Sequence, residues 1–420
     1  MRVPTQPTPL RTRNYRLYFS GQLVSVPGTW LQTVAQAWLV LTLSSSGSAL
    51  GVTVALQTVP VLVLAPWTGS VADAVDKRKL LIGTQAAQGL LALALGILAL
   101  TGVVELWMVW ILALGLGVVR SFDTPTRQAF VSELVQGPSL PRAIGINSTV
   151  VSAARMIGPA AGGAIIAVFG VGLCFLINGA SFVGPLIALS AMDPTKLYRA
   201  DVRAPRSPGA VRAGLRYVRS RRDLFIPLGM MAIIGTLGYE FQVSIPLMAH
   251  SGFHLGATGF GLLYAAMGAG AVVSGITLAG KVPVRVQTLT ITAAAFGIAL
   301  TAAASAPTPV TEAICLACVG AASVVFSSST NATLQIRADP SMRGRVLALY
   351  VMAFMGSTAI GGPLVGVAGE LLGPRASLGV GAAGCAAGVL LALALGSGVR
   401  TTLDAHSRVS GATTAHQNLT

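Results

Sequence analysis

The chain has 420 residues, of which 53% are hydrophobic and only 10% charged; its mean hydropathy is +0.74 and its formal net charge +15. Soluble domains carry about 25% charged residues, so this composition excludes an ordinary water-soluble protein and makes lipid the natural solvent. The net positive charge raises nucleic acid as a partner, and the placement of the basic residues then argues against it.

A helix needs roughly 20 mostly apolar residues to cross about 30 Å of hydrocarbon. Runs of that kind predict twelve spans, near 17–43, 48–71, 80–101, 105–122, 142–168, 171–192, 224–247, 257–280, 284–305, 309–332, 343–368 and 375–397. Backbone groups in lipid must be satisfied within each segment, which selects helices, and the alternating ten-residue pattern of a membrane barrel is absent. The first span follows a basic arm with Arg11, Arg13 and Arg16, and "AQA" at 35–37 mimics a cleavage site. Gln22, Thr29 and Gln32 inside it, and the apolar run beyond, mark a retained helix instead of a signal peptide.

If the N-terminus is cytoplasmic, 26 of the 28 Lys and Arg residues fall in inside segments or at their helix ends, with Arg155 and Arg375 as exceptions. This is a strong positive-inside pattern, and it makes the basic charge a topological, lipid-facing feature. The longest inside loop, 193–223, carries nine basic residues. Its "SPGAVRAGLRYVRSRRD" sets Val211, Leu215 and Val218 on one helical face and Arg212, Arg216 and Arg219 on another. Such a helix would lie on the anionic inner surface; a solvated basic linker is the alternative.

In chain order, the first candidates are Gln22, Ser25, Thr29, Gln32 and Gln36, spaced three or four apart on one face. Lipid disfavours five polar groups in line, so this stripe reads as cavity lining, with helix-to-helix hydrogen bonding as the alternative. Next, "GSVADAVDKRKLL" packs Asp73, Asp76, Lys77, Arg78 and Lys79 into seven positions. Gly69 permits close helix approach, and Asp73 is an anion placed to pair with a helix N-terminus or an Arg. A plain basic anchor would explain Lys77 and Lys79 but not Asp73. "FDTPTRQAF" follows the fourth span, where Asp123 and Arg127, four apart, form a charge cluster read as gating or structural.

Arg155 lies within the fifth span, one turn before "GPAAGG" at 158–163, and must pair with something or reach a wet cavity. Pro159 can bend that helix, while Gly158, Gly162 and Gly163 permit a tight crossing. In the seventh span Thr236, Glu240 and Ser244 align at spacing four, beside Tyr239. Glu240 sits roughly 24 Å from the inner end of its helix, where desolvation favours a carboxyl that takes and releases protons; snorkelling to the outer interface is the alternative. Ser323, Ser327, Asn331 and Gln335 repeat the spacing in the tenth span.

Two decoys are set aside. "GITLAGKV" at 275–282 approaches a phosphate-binding loop, but Val282 stands where Ser or Thr is required and the segment ends a membrane helix. Cys315 and Cys318 form a CxxC in an apolar run without a second ligand pair, which reads as core packing and not a metal or redox site.

The halves resemble each other: "RAIGINSTVVSAARMIGPAAGG" aligns loosely with "RVLALYVMAFMGSTAIGGPLVG", about half a chain apart. Two six-helix repeats joined by a basic linker are a transporter pattern. The opening charge motif resembles the Gly-x-x-x-Asp-(Arg/Lys)-x-Gly-Arg-(Arg/Lys) signature of the major facilitator superfamily through Gly69, Asp73, Lys77, Arg78 and Lys79, with Ala74 and Asp76 as departures. "RNYRLYFSGQLVS", "FDTPTRQAFVSELV", "RMIGPAAGG", "YEFQVSIPLMA" and "MRGRVLALY" are similar to its drug:proton antiporter branch, which contains macrolide efflux pumps and the enterobactin exporter. That resemblance implies that Asp73 latches the start of the eleventh span, with Arg343 and Arg345. It also implies that spans 1, 4, 7 and 10 line a central cavity, including Gln22, Ser25, Thr29, Gln32, Gln36, Thr236, Tyr239 and Asn331. By the same resemblance Gly158 and Pro159 belong to an antiporter motif.

The expected fold is all-α, twelve transmembrane helices in two pseudo-symmetric halves: arm 1–16, first half 17–192, linker 193–223, second half 224–397 and tail 398–420. The expected activity is proton-coupled secondary active export of a small amphipathic molecule (a drug, siderophore or secondary metabolite) by alternating access. Glu240 and Arg155 are its proton-coupling candidates. The chain is expected to act as a monomer in the inner cell membrane with both termini cytoplasmic. It is expected to be no enzyme and to draw on the proton gradient without cofactor, metal or nucleic acid. A proton-linked importer or facilitator, and a non-transporting sensor or scaffold, are the alternatives; the gate signature and intramembrane charges weigh against the last.

Overall fold

The computed structural model describes residues 9–136, 139–198, 210–278, 286–340 and 342–417. The first half holds α1 (Arg13–Ser44), α2 (Gly47–Ala74), α3 (Lys77–Thr101), α4 (Leu106–Leu134), α5 (Ser139–Phe169), α6 (Val171–Ser181) and α7 (Val183–Ser190). After the short linker helix α8 (Ala210–Arg219), the second half holds α9 (Arg222–Gly238), α10 (Phe241–Leu247), α11 (Ala257–Leu278), α12 (Val286–Ala304), α13 (Pro309–Arg337), α14 (Arg343–Gly356), α15 (Thr358–Leu371) and α16 (Pro374–Gln417). The pairs α6–α7, α9–α10 and α14–α15 each make one crossing interrupted by a break.

Among the described residues, eleven helical segments are long and apolar enough to cross a membrane. The twelfth predicted crossing is α1, whose 32 residues include the polar stripe from Gln22 to Gln36 and are correspondingly less apolar. It packs against α5, α6 and α7 as part of the bundle. The lipid-facing belt is apolar, with Leu90, Ile97, Ile111, Ile276, Ile291, Ile298 and Leu390 all exposed; in water such a belt would drive aggregation.

Local chemistry sets the helix ends. Ser46 caps α2 by accepting the Ala49 N–H at 3.1 Å, and Asp76 caps α3 by accepting the Lys79 N–H at 3.2 Å. The Asp that departs from the superfamily signature therefore starts the third helix. Gly102, at φ 74°, ends α3 in the left-handed region that favours glycine. Thr308 and Thr311 form a capping box at α13, with Pro309 in the first turn. Arg375 donates to the carbonyls of Ala304 and Ala306, at 3.3 and 2.9 Å, satisfying orphan acceptors just past α12.

Two sequence expectations need correction. The fourth crossing does not stop near residue 122: α4 runs through Pro125 to Leu134. Polar side chains there are satisfied by neighbouring helices, so the chain has no reason to leave the bundle. In α8, Leu215 is 41% exposed while Gly214 and Val218 are buried. A Cβ on Gly214 would lie 3.2 Å from Cβ of Arg345, so the helix presents its small-residue ridge to α14 and turns Leu215 away with Arg212, Arg216 and Arg219. The side chain of Val211 lies outside the described residues.

The halves meet along two seams, α2 with α15 and α5 with α11. Both are glycine-lined. A Cβ on Gly51 would lie 2.8 Å from Cα of Pro363, and one on Gly163 would lie 2.6 Å from the Ala257 carbonyl oxygen; only glycine allows backbones this close. Trp38 adds a stacked contact with Phe260 across the interface.

Candidate functional site

The seams lie toward the end opposite the basic loops. There Glu370, at the end of α15, accepts hydrogen bonds from the Ser46 hydroxyl at 2.7 Å and the Ser48 N–H at 2.8 Å, at the start of α2. These side-chain hydrogen bonds join the halves. Toward the basic end α2 packs far less on α14 than it does on α15. The halves thus diverge from a closed seam, here the sealed end, toward the basic end.

On the first half lies a cavity of about 210 Å³ whose walls include Ser25, Thr29 and Trp30 of α1, Gln88 of α3, and Arg120, Asp123 and Arg127 of α4. The Asp123–Arg127 pair is closed upon itself. Arg127 donates to Asp123 Oδ2 from Nη2 at 2.6 Å and Nε at 3.1 Å, and to Gln22 Oε1 at 2.5 Å. Asp123 Oδ1 accepts from Thr84 at 2.9 Å and Gln85 at 2.7 Å. Such charge-assisted networks fix a wall rather than leave it free to bind.

The helix 1 stripe divides. Ser25 and Thr29 line the cavity. Gln22, Gln32 and Gln36 are buried and act as cross-braces within the first half: Gln22 holds Arg127, Gln32 accepts from Asn178 at 2.5 Å, and Gln36 accepts from Gln57 at 3.0 Å. The sequence reading set all five on the cavity wall; the structure spends the long amides on neighbouring helices.

In the fifth crossing, the Arg155 guanidinium lies 5.1 Å from the Trp30 ring centroid, a cation–π geometry, and its Nε is buried without a hydrogen-bond partner. Gly158 and Gly162 face α1, where a Cβ on Gly158 would lie 2.6 Å from Cβ of Trp30, while Gly163 faces α11. The Pro159 carbonyl abuts Gly261 of α11. The "GPAAGG" segment thus joins one neighbour in its own half to one in the other.

The seventh crossing breaks at Tyr239 and Glu240, which lie outside the helical bounds of α9 and α10. Glu240 is 2% exposed, its Oε1 has no partner, and a Cβ on Gly361 would lie 2.8 Å from that oxygen. The carboxyl is wedged against α15, away from solvent, and does not snorkel. Tyr239 donates to the Ser323 carbonyl at 2.6 Å and stands edge-on to Phe296 and Phe354. Thr236 donates to its own helix at Ala232, and Asn331 accepts from Gln335 at 2.5 Å. No ion pair joins Glu240 to Arg155 among the described residues.

At the basic end two of the motif's cations, Lys77 and Arg78, are held within the first half. Lys77 pairs with Glu133 at 2.8 Å, and Arg78 donates to the carbonyls of Leu189 and Ser190 at 2.6 and 2.8 Å. Lys79 is exposed and Gly69 half-buried. The side chain of Asp73 lies outside the described residues. Arg343 is exposed, and Arg345 donates to the Met342 sulfur at 3.2 Å beneath α8. Nearby, Tyr217 and Arg221 of the linker hold Asp339 at 2.8 and 3.3 Å. Arg221 also pairs with Asp223, whose carboxylate raises the basicity of the guanidinium.

Sequence reasoning missed Arg120, Gln88, Glu370 and Glu312. Arg120 reads as a basic-end residue when the fourth span ends near 122. Gln88 carries no charge to flag it. Glu370 and Glu312 lie near predicted helix ends, where an acid draws no notice; Glu312 is in fact fully buried with neither oxygen partnered.

The family described as transmembrane secretion effector, of the major facilitator superfamily, matches residues 5–415. The chain belongs to that family. The transporter is 24% identical over 362 residues to the staphyloferrin A transporter of Staphylococcus aureus, covering 85% of this chain and 90% of that one. It is 28% identical over 393 residues to the enterobactin exporter EntS of Citrobacter koseri, covering 91% and 92%. Its fold matches an inward-facing, occupied bacterial homologue of the lysosomal transporter Spinster (TM-score 0.73, 14% identity, 93% and 98% covered). It also matches an inward-facing bacterial homologue of ferroportin (TM-score 0.69, 15% identity, 91% and 98% covered). It is a multi-pass membrane transporter with the major facilitator fold, and not an enzyme.

Proposed function

We propose that this transporter is a proton-coupled exporter of a small amphipathic molecule, working by alternating access across the inner cell membrane with its basic loops and termini in the cytoplasm. The observation that carries the reading is Glu240: a buried carboxyl with an unpartnered oxygen, at the break between α9 and α10, pressed against the glycine seam that seals the far side. Broken helices at membrane depth are where transporters of this architecture bind ions and substrates.

The positive-inside pattern supports reading the sealed end as external and the cavity as cytoplasmic. Cargo would enter from the cytoplasm or inner leaflet. When the seam opens, Glu240 meets external water and takes a proton, which removes the cost of burying an unpaired carboxylate as the seam closes again. Releasing that proton inward completes the exchange. The named transport of two siderophores by relatives sharing most of the chain supports a metabolite of that size and character as cargo.

The test uses everted membrane vesicles, in which the cytoplasmic face is outermost. An interior-acidic pH gradient should drive cargo into the lumen, and a protonophore should stop it. Equilibration indifferent to the gradient would leave a facilitator, and cargo driven out of the lumen would leave an importer.

A further inference from the structure

The charges of the cavity do not balance. Asp123 has both oxygens occupied, by Arg127 on one side and Thr84 and Gln85 on the other, so that pair is neutral and complete. Arg120, three residues earlier on α4, makes one long bond of 3.3 Å to the neutral amide of Gln57. Arg155 rests on Trp30 with its Nε buried and unpartnered. Neither arginine has a carboxylate within ion-pair distance among the described residues. A guanidinium cannot shed its proton to escape this cost, and an uncompensated charge inside a membrane bundle is unfavourable.

A third group points the same way. Gln88 is 5% exposed, lines the cavity, and its Nε2 has no acceptor. What the region around Trp30 lacks, among the described residues, is spare anions: two guanidiniums have no carboxylate, and the spare acceptor near Gln88, Gln85 Oε1, is neutral. Trp30 belongs to both ends of the arrangement: it lines the cavity and its ring carries Arg155. Arg155 also lies one turn before Pro159, whose carbonyl abuts Gly261 of the other half, so a ligand held there would sit beside the interface that must move.

We propose that Arg120, Arg155 and Gln88 form an anion site around Trp30, and that the cargo is an amphipathic molecule bearing at least two acidic oxygen groups, carboxylates being the simplest. Guanidiniums match carboxylates in a two-pronged geometry and stack on aromatic rings, and the indole supplies a surface for the apolar body. The proposal deepens the transport reading by naming the cargo's charge, and it rests on that reading only for the word cargo.

The test is equilibrium binding to the full-length protein in nanodiscs, which needs no proton gradient and no turnover. The probes are N-benzoyl-glutamate, an aromatic dianion, and its dimethyl ester, matched in shape but uncharged. The dianion should bind at least about tenfold tighter than the ester, as charge-assisted hydrogen bonds imply. Arg120→Gln and Arg155→Gln should each lower its affinity about tenfold or more, and the double variant should erase the preference. Arg155→Lys should restore part of it. Equal binding of dianion and ester by the wild-type protein, or no measurable binding of the dianion, would overturn the proposal without requiring any variant to fold. Arginine variants that stay monodisperse and keep full dianion affinity would overturn it equally. Vesicles that transport without a pH response, beside intact dianion selectivity, would sink the coupling mechanism and leave the anion site standing.

Discussion

The two ends of the interface between halves are built on opposite principles. At the sealed end, α2 meets α15 backbone to backbone through Gly51 and Gly362, and an exposed acid, Glu370, reaches across to the start of α2. At the basic end the charges are numerous, and three that are held by hydrogen bonds or ion pairs stay on their own side of the interface: Lys77 with Glu133, Arg78 with the last carbonyls of α7, Asp339 with Tyr217 and Arg221 of the linker. A contact made of small residues and dispersion can part and re-form without stranding a buried charge. A charge network confined to one half can travel with that half as a rigid block. The comparison shows how the halves could part at either end without breaking the ion pairs Lys77–Glu133 and Arg221–Asp339.

The largest effect should come from filling the seam. Gly51→Leu places a branched side chain against Gly362 and Pro363, where an added Cβ alone is already too close, and overpacking of this kind costs about 1–3 kcal/mol. The sealed state should lose population by tenfold or more, on the order of what that cost implies. Spin labels at Ser45 and Leu372 should report a longer distance across the sealed end, with transport nearly abolished. An unchanged distance would show that the glycines do not form the seal.

Next in size is the carboxyl beside the seam. Glu240→Gln keeps the shape and removes the titration, so gradient-driven accumulation should fall about tenfold or more, to the level set by passive exchange. Counterflow of preloaded cargo, which needs no net proton movement, should persist. If accumulation still follows the pH gradient, Glu240 is not the carrier, and the unpartnered Glu312 of α13 becomes the next group to replace.

Most of this architecture was legible in the sequence because a membrane span is a composition statement, and composition survives without knowledge of neighbours. The glycines of "GPAAGG" were legible for the same reason: a small residue declares that something comes close, though not what. The failures share one cause. Pro125 and the charges around it looked like the end of a helix, yet α4 continues because Thr84, Gln85 and Gln22 receive Asp123 and Arg127 from other helices. The same truncation hid Arg120. The glutamines of α1 read as cavity lining because period alone cannot distinguish a face turned to water from one turned to an amide on the next helix. The break at Tyr239 and Glu240 is announced only by Gly238 at the end of α9, a weak signal in a glycine-rich chain; its cause is visible once α15 is seen to press there with Gly361.

The basic end supplies a smaller effect. Asp73→Asn should leave membrane insertion and binding intact and slow turnover about five- to tenfold, if the anion is needed only when this end closes. Measured in proteoliposomes, a fully active variant would reduce the motif to a topology signal and leave the sealed end as the sole latch.

Glu370→Gln should give the smallest change, and the most specific one. The carboxylate is exposed, so its bonds to Ser46 and Ser48 are screened by water and worth correspondingly little. Removing the charge should weaken the sealed state about two- to fivefold. The shift should be read by the same Ser45–Leu372 distance and should shrink in high salt, because the lost interaction is with α2's N-terminal dipole as well as the hydroxyl. Gly51→Leu acts by volume and should be indifferent to salt. A Glu370→Gln effect that is equally indifferent would mean that the acid, like the glycines, contributes only shape, and the contrast between a neutral seam and a charged latch upon it would collapse into a single steric contact.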